Sequence, residues 1–267
     1  MINKVNFYIK NIFDDDVKDK LQELNLLFMN ESYLGNKVAF YYENLVNGNT
    51  FSYNENITFY AASTMKILVC LYLLENSDYY DLDTVLLVSE DDKKQGSGIL
   101  KDVSGDQEYT LLELIKPCII YSDNTAYIKL MDYVGKDIIK SYGEELGCRH
   151  IMEGKETDMF GITNCVDLSI IWKRVKEYID RDTLYSDLLR DLTRSTYTKL
   201  ISDDSIGRGI YLRKYGSFGI AYHEAGIVIN SEPYVLIVMT QLNEKDYKEE
   251  FINNAAKLIS ELHYMID

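Results

Sequence analysis

Apolar positions change their period twice along the chain. Residues 14–29 follow a helical spacing behind an acidic first turn at Asp14, Asp15 and Asp16, which predicts an amphipathic helix. Lys37 to Glu43 then reads as a strand, Asn47-Gly48 as a hairpin turn, and Thr50 to Tyr53 as the returning strand. From Ala61 to Glu75 the pattern becomes helical and apolar on nearly every face, the mark of a central, buried helix. Helices are predicted at 110–120, 125–134, 136–146, 166–180 and 183–193, separated by polar breaks such as Gln95-Gly96-Ser97-Gly98 and Val103-Ser104-Gly105-Asp106. After Ser205 the period returns to two. Gly209 to Tyr215, Ile220 to Ile229 and Pro233 to Gln241 are predicted strands, and 244–264 is a closing amphipathic helix.

Strands therefore lie at both ends of the chain with a helical block between them. The expected class is α+β: an antiparallel β-sheet flanked by the N- and C-terminal helices, with an inserted all-helical lobe. The boundaries this implies are 1–57 and 205–267 for the sheet lobe and 58–204 for the helical lobe, with a ligand cleft between them.

Composition narrows the function. With 28 basic against 43 acidic residues the net charge is −15, which disfavours nucleic-acid backbones and anionic lipid surfaces as partners. The longest apolar run, Ile67 to Leu74, falls short of the roughly 20 residues a membrane helix needs. The first residues carry no secretory h-region or small-residue cleavage site, so the reading is cytoplasmic unless a leader has been removed. Cys70, Cys118, Cys148 and Cys165 show no C-x-x-C spacing and there are only three histidines, so no metal is expected.

Three short segments can carry chemistry. In Ser63-Thr64-Met65-Lys66 the lysine lies one helical turn from the serine, on the same face. Burial in an apolar helix lowers an amine's pKa and frees it to act as a base, and the helix start offers N–H groups to an oxyanion. The same four residues also suit an N-cap serine and a snorkelling lysine. Ser122-Asp123-Asn124 interrupts two helices; it can relay a proton and bind an amide, or serve as an ordinary turn and cap. Lys214-Tyr215-Gly216-Ser217 lies on a predicted strand, where glycine admits a substrate backbone or a simple bulge.

Their order, S-x-x-K, S-D-N, then K-x-G, with separations of 59 and 92 residues, resembles the penicillin-recognising serine enzymes: class A β-lactamases and D-alanyl-D-alanine peptidases. The resemblance continues through Gly96 to Leu100, Tyr109 to Leu114, Tyr121 to Tyr127, Cys165 to Leu168, Ala225 to Val228 and Pro233 to Leu236. It implies that Ser63 is the acylated nucleophile and Lys66 its base. Ser122 would pass a proton to the leaving nitrogen, Asn124 would bind the substrate's acylamide, and Lys214 would support the relay and attract a carboxylate. Tyr215 and Gly216 would line the substrate, and the backbone N–H groups of Ser63 and Ser217 would form the oxyanion hole.

Two departures stand out. Tyr215 replaces the small hydroxyl residue usual on that strand, and His223 and Glu224 stand where an arginine is usual, His223 being a plain strand histidine or a partial substitute. The span from Ser122 to Thr163, 41 residues, is shorter than the resemblance implies, and Arg149 to Gly161 has no E-x-x-L-N. Its Glu153 and Glu156 can each point a carboxylate into the cleft as the base that activates the deacylating water, or be solvated loop glutamates. Cys70 lies where some relatives carry a disulfide cysteine, with Cys118 slightly off the partner position. The expected function is cleavage of a β-lactam or related amide through an acyl-serine, with deacylation in question; the resemblance implies a monomer acting on a small-molecule β-lactam or peptide-like substrate, with no metal or organic cofactor. A D-alanyl-D-alanine peptidase or esterase, and a catalytically idle binding homologue, remain open.

Overall fold

The computed structural model describes residues 6–8, 15–153, 160–243 and 248–266. The chain begins with β1 (Asn6–Tyr8) and α1 (Asp15–Tyr33), whose acidic first turn faces the positive end of its own helix. Its buried Val17, Leu21, Leu24 and Phe28 form one stripe. β2 (Lys37–Asn44) and β3 (Thr50–Tyr53) follow as the expected hairpin. Asn44 Oδ1 accepts from Val46 N (2.8 Å) and Asn47 N (3.1 Å), and Gly48 takes the left-handed φ of +76° that the turn requires.

Next come β4 (Phe59–Tyr60), a 3₁₀ turn (Ala62–Met65), α2 (Lys66–Glu75), the hairpin β5 (Val85–Val88) and β6 (Gln107–Thr110), α3 (Leu111–Ile120), α4 (Asn124–Val134) and α5 (Lys136–Glu145). β7 (Ile162–Thr163), α6 (Cys165–Ile179) and α7 (Leu184–Arg194) complete the helical block. β8 (Ile210–Phe218), β9 (Ala221–Ile229), β10 (Tyr234–Gln241) and α8 (Lys248–Ile266) end the chain. The main sheet is antiparallel, in the order β1-β3-β2-β10-β9-β8.

Period-two alternation places two apolar cores on opposite faces of this sheet. Phe40, Tyr42, Leu236 and Val238 pack with Phe28 of α1 and with Phe251 and Ile259 of α8. Ala39, Val235, Ile237 and Met239 join the core of the helical block, in which Leu68, Leu71 and Trp172 are buried. β10 reads as an unbroken apolar run because both its faces are covered. Among the described residues no helix is long and apolar enough to cross a membrane.

The fold class is as expected, and α2 is buried on nearly every face. Three details differ. The segment expected to be helical from Ala61 begins as a 3₁₀ turn. β8 runs on through Gly216 and Ser217 to Phe218. The short strands β1, β4, β5, β6 and β7 lack the length to produce a periodic signal.

Candidate active site

Ser63 sits on the 3₁₀ turn that enters α2. Backbone pairing fixes its approach: β4 pairs with β7, and Ala61 N donates to Gly161 O at 3.0 Å. Ala62 then takes φ +47°, a left-handed conformation costly for a residue with a Cβ, and Thr64 Oγ1 bonds back to Ala61 O at 2.6 Å. Lys66 follows one turn later and is completely buried. Its Nζ donates to Ser122 O (2.5 Å) and Asn124 Oδ1 (2.7 Å), and lies 3.4 Å from Ser122 Oγ. Burial lowers its pKa to about 8. The resting amine is thus held by the Ser122-Asp123-Asn124 segment rather than bonded to the Ser63 hydroxyl.

That segment is a built corner. Pro117 within α3 has its carbonyl free to accept from Tyr121 N (3.0 Å) and Asp123 N (3.1 Å). Ser122 is left-handed, with φ +53°. Asp123 caps α4 through Ala126 N (2.9 Å), and its other oxygen accepts from Ile99 N (2.6 Å) and Leu100 N (2.8 Å). Asn124 Nδ2 donates to Gln95 O at 2.9 Å. Gly98, at φ +115°, is required here, since a Cβ would fall 2.2 Å from Asp123 Oδ2.

β8 supplies the opposite wall. Lys214, also completely buried, donates to Ser122 Oγ at 2.9 Å and to Tyr215 O at 3.1 Å. Burial, and then repulsion from Lys66, lower its pKa to about 7. At Gly216 the strand touches the turn that carries Ser63: a Cβ there would lie 3.0 Å from Ser63 N and 2.9 Å from Thr64 N. A cleft of about 210 Å³ opens over this junction, lined by Ser63, Asn124 and Ser217 together with Tyr60, Phe160 and Phe218. Ser63 and Asn124 line it directly, and the Lys66 amine that Asn124 Oδ1 holds meets Lys214 at Ser122 Oγ, an arrangement suited to acyl transfer.

A family model described as the beta-lactamase enzyme family matches residues 16–262. The chain belongs to this family. Among solved structures, a PBP-A mutant in an acyl-enzyme complex with penicillin-G aligns at a TM-score of 0.81 and 22% identity, covering 92% of this chain and 97% of that one. A beta-lactamase from Sphaerobacter thermophilus aligns at 0.79 and 21%, covering 89% and 95%. A class A beta-lactamase representative from Bacteroides cellulosilyticus aligns at 0.76 and 23%, covering 95% and 99%. At these identities the likeness establishes the fold. No curated protein sequence matches the chain significantly.

Within this beta-lactamase fold, several expected residues are placed differently. Tyr215 does not line the cleft: its ring is buried, 4.6 Å below the Lys214 ammonium, because alternation along β8 turns it away from Gly216. His223 is fully buried and serves the sheet, bonded to Tyr60 O (2.9 Å) and accepting from Thr240 N (3.1 Å). Burial lowers its pKa to about 4, so it is neutral and does not replace a cleft cation. Glu224 is consumed by Arg213 (3.1 Å) and by the backbone N–H groups of Leu200 and Ile201, on the face away from the cleft. Glu153 bonds to His150 (3.3 Å) at the surface, and Glu156 lies outside the described residues. Cys70 and Cys118 are free and buried.

Sequence reasoning missed two things. Asp123 ties the Ser122–Asn124 corner to the 95–100 loop, a role its N-cap position beside Gly96-Ser97-Gly98 could have disclosed. The rings of Phe160 and Tyr127 stand 5.5 Å and 5.6 Å from Lys66 Nζ, and no local signal in the sequence marks them.

Proposed function

We propose that the protein is an active-site serine hydrolase that forms an acyl-enzyme with a β-lactam or a related amide and releases it slowly. The observation that carries this reading is the convergence of both lysine amines on Ser122 Oγ, beside a strand that touches Ser63 N at Gly216.

Neutral Lys66 has two N–H groups and one lone pair. Its two carbonyl acceptors, Ser122 O and Asn124 Oδ1, use the N–H groups, which leaves the lone pair for the Ser63 proton. Ser63 Oγ attacks the carbonyl carbon, and the N–H groups of Ser63 and Ser217 receive the oxyanion. As the C–N bond breaks, the leaving nitrogen takes a proton from Ser122 Oγ, which is refilled from the lysine pair. Water then cleaves the ester in a second step.

The aromatic surroundings of Lys66 favour a peptidase-like balance, with acylation faster than deacylation. Phe160 and Tyr127 cover the ammonium, while Glu153 is turned toward His150. The PBP-A relative, solved as a penicillin-G acyl-enzyme, lends the same reading support. Incubation with a fluorescent penicillin tests it: a labelled protein that persists long after free reagent is removed is the expected result. Rapid turnover identifies an efficient lactamase instead, and no label at all identifies an idle homologue.

A further inference from the structure

Three aromatic rings form a continuous wall along one side of the cleft. Phe218 immediately follows Ser217, and Tyr60 precedes Ser63 by three residues, so both flank the proposed oxyanion hole. Their ring centroids are 5.2 Å apart, and Tyr60 and Phe160 are 6.3 Å apart. Phe160 continues inward by stacking on buried Tyr127 at 5.0 Å. Backbone pairing holds the wall in place: Phe218 opposes Ala221 at the end of the β8–β9 ladder, and Tyr60 opposes Ile162.

The wall is incomplete as a packed surface. Phe218 is 69% exposed, a large apolar ring left in water one residue from a group that would contact the reacting carbonyl. The rest of the lining includes the polar Gln95, Ser97 and Asn124, and among the described residues lining the cleft none carries a charge. The lining thus offers ring faces together with amide and hydroxyl groups, which matches an apolar acyl substituent that carries a flat ring, attached to a carbonyl or amide.

We propose that Phe218, Tyr60 and Phe160 select an uncharged acyl group that carries a flat aryl ring on the carbonyl that Ser63 attacks. The proposal rests on the acyl-serine reading above. In the step concerned, the Ser63 Oγ–carbonyl bond forms and the bond from carbonyl to leaving group breaks. The serine proton passes through Lys66 to the departing group or to water.

The experiment compares phenylacetyl and acetyl esters of p-nitrophenol. Each acylation rate is divided by that ester's own rate with hydroxide, and the adduct is located by peptide mass mapping. The intact protein should prefer the phenylacetyl ester by roughly tenfold or more, the scale of one well-packed ring contact plus its buried area. Phe218→Ala should reduce the preference to about twofold, and Phe218→Tyr, which keeps the ring, should retain it. A ratio near one in the intact protein, or an undiminished ratio in Phe218→Ala, overturns the proposal. The absence of a Ser63 adduct with either ester overturns the acyl-serine reading, and the selectivity claim with it. Because the Phe218 ring is exposed, a thermal melt of Phe218→Ala should match that of the parent and separate selectivity from folding.

Discussion

Lys66 and Lys214 reach the same oxygen from opposite walls of the cleft: their amines stand 3.4 Å and 2.9 Å from Ser122 Oγ. Two buried ammonium groups around one acceptor repel each other, and among the described residues neither has a carboxylate hydrogen-bonded to it. Burial is the main reason both titrate low, at about 8 and about 7, and for Lys214 the charge on Lys66 adds to it. The site therefore holds a free amine close to neutral pH, where an exposed lysine would be fully protonated.

This sets a pH profile. The rate of Ser63 acylation should rise with pH through about 8, as Lys66 loses its proton, and level off about one unit higher. Lys66→Ala should lower the plateau by roughly a thousandfold, the usual scale for a positioned base. Rapid-quench adduct measurements across this range check both, and a profile flat from pH 6 to pH 9 contradicts the base assignment.

Gly216 should be intolerant of any side chain. A Cβ would meet backbone atoms, Thr64 N at 2.9 Å and Ser63 N at 3.0 Å, so strand and nucleophile must separate. Gly216→Ala should slow acylation by at least about tenfold, with a smaller loss of thermal stability, because reacting geometry tolerates little displacement. Equal acylation rates in the two proteins would show that β8 does not set the position of Ser63.

Asp123 should matter for folding as much as for chemistry. Its carboxylate, buried at 1% exposure, accepts from Ala126 N, Ile99 N and Leu100 N. Asp123→Ala leaves those donors without partners and should cost about 3 kcal/mol in a denaturant titration. A loss below about 1 kcal/mol would mean that the 95–100 loop is held in place by other contacts.

Acid should weaken the fold through two buried histidines. Burial holds His223 and His263 neutral, with pKa values lowered to about 4. Between about 4 and the ordinary histidine value the unfolded chain binds more protons than the native one. Stability is therefore retained above that window and lost as pH falls through it. His223 alone accounts for up to about 3 kcal/mol. His223→Gln, whose amide can donate to Tyr60 O, should flatten the stability curve between pH 6.5 and 4, and an unchanged slope would refute the contribution of His223.

Long elements were legible because their burial repeats. α2 shows its all-round burial directly in the run Ile67 to Leu74, and β10 shows both covered faces in its unbroken apolar stretch. The three motif segments named Ser63, Lys66, Ser122 and Lys214, which the fold brings to one junction. Tyr215 and His223 were harder, since each side chain is placed by strand alternation and by what packs behind the sheet. Phe160 was invisible: it lies in a short irregular segment, and its closeness to Lys66 arises only when β7 pairs with β4.

The most direct test is to treat the protein with benzylpenicillin, digest it and locate the added mass. The account requires the adduct on the peptide carrying Ser63, its loss in Ser63→Ala, and a melting curve for that variant close to the parent's. An adduct on a different residue, or one that survives in Ser63→Ala, contradicts it.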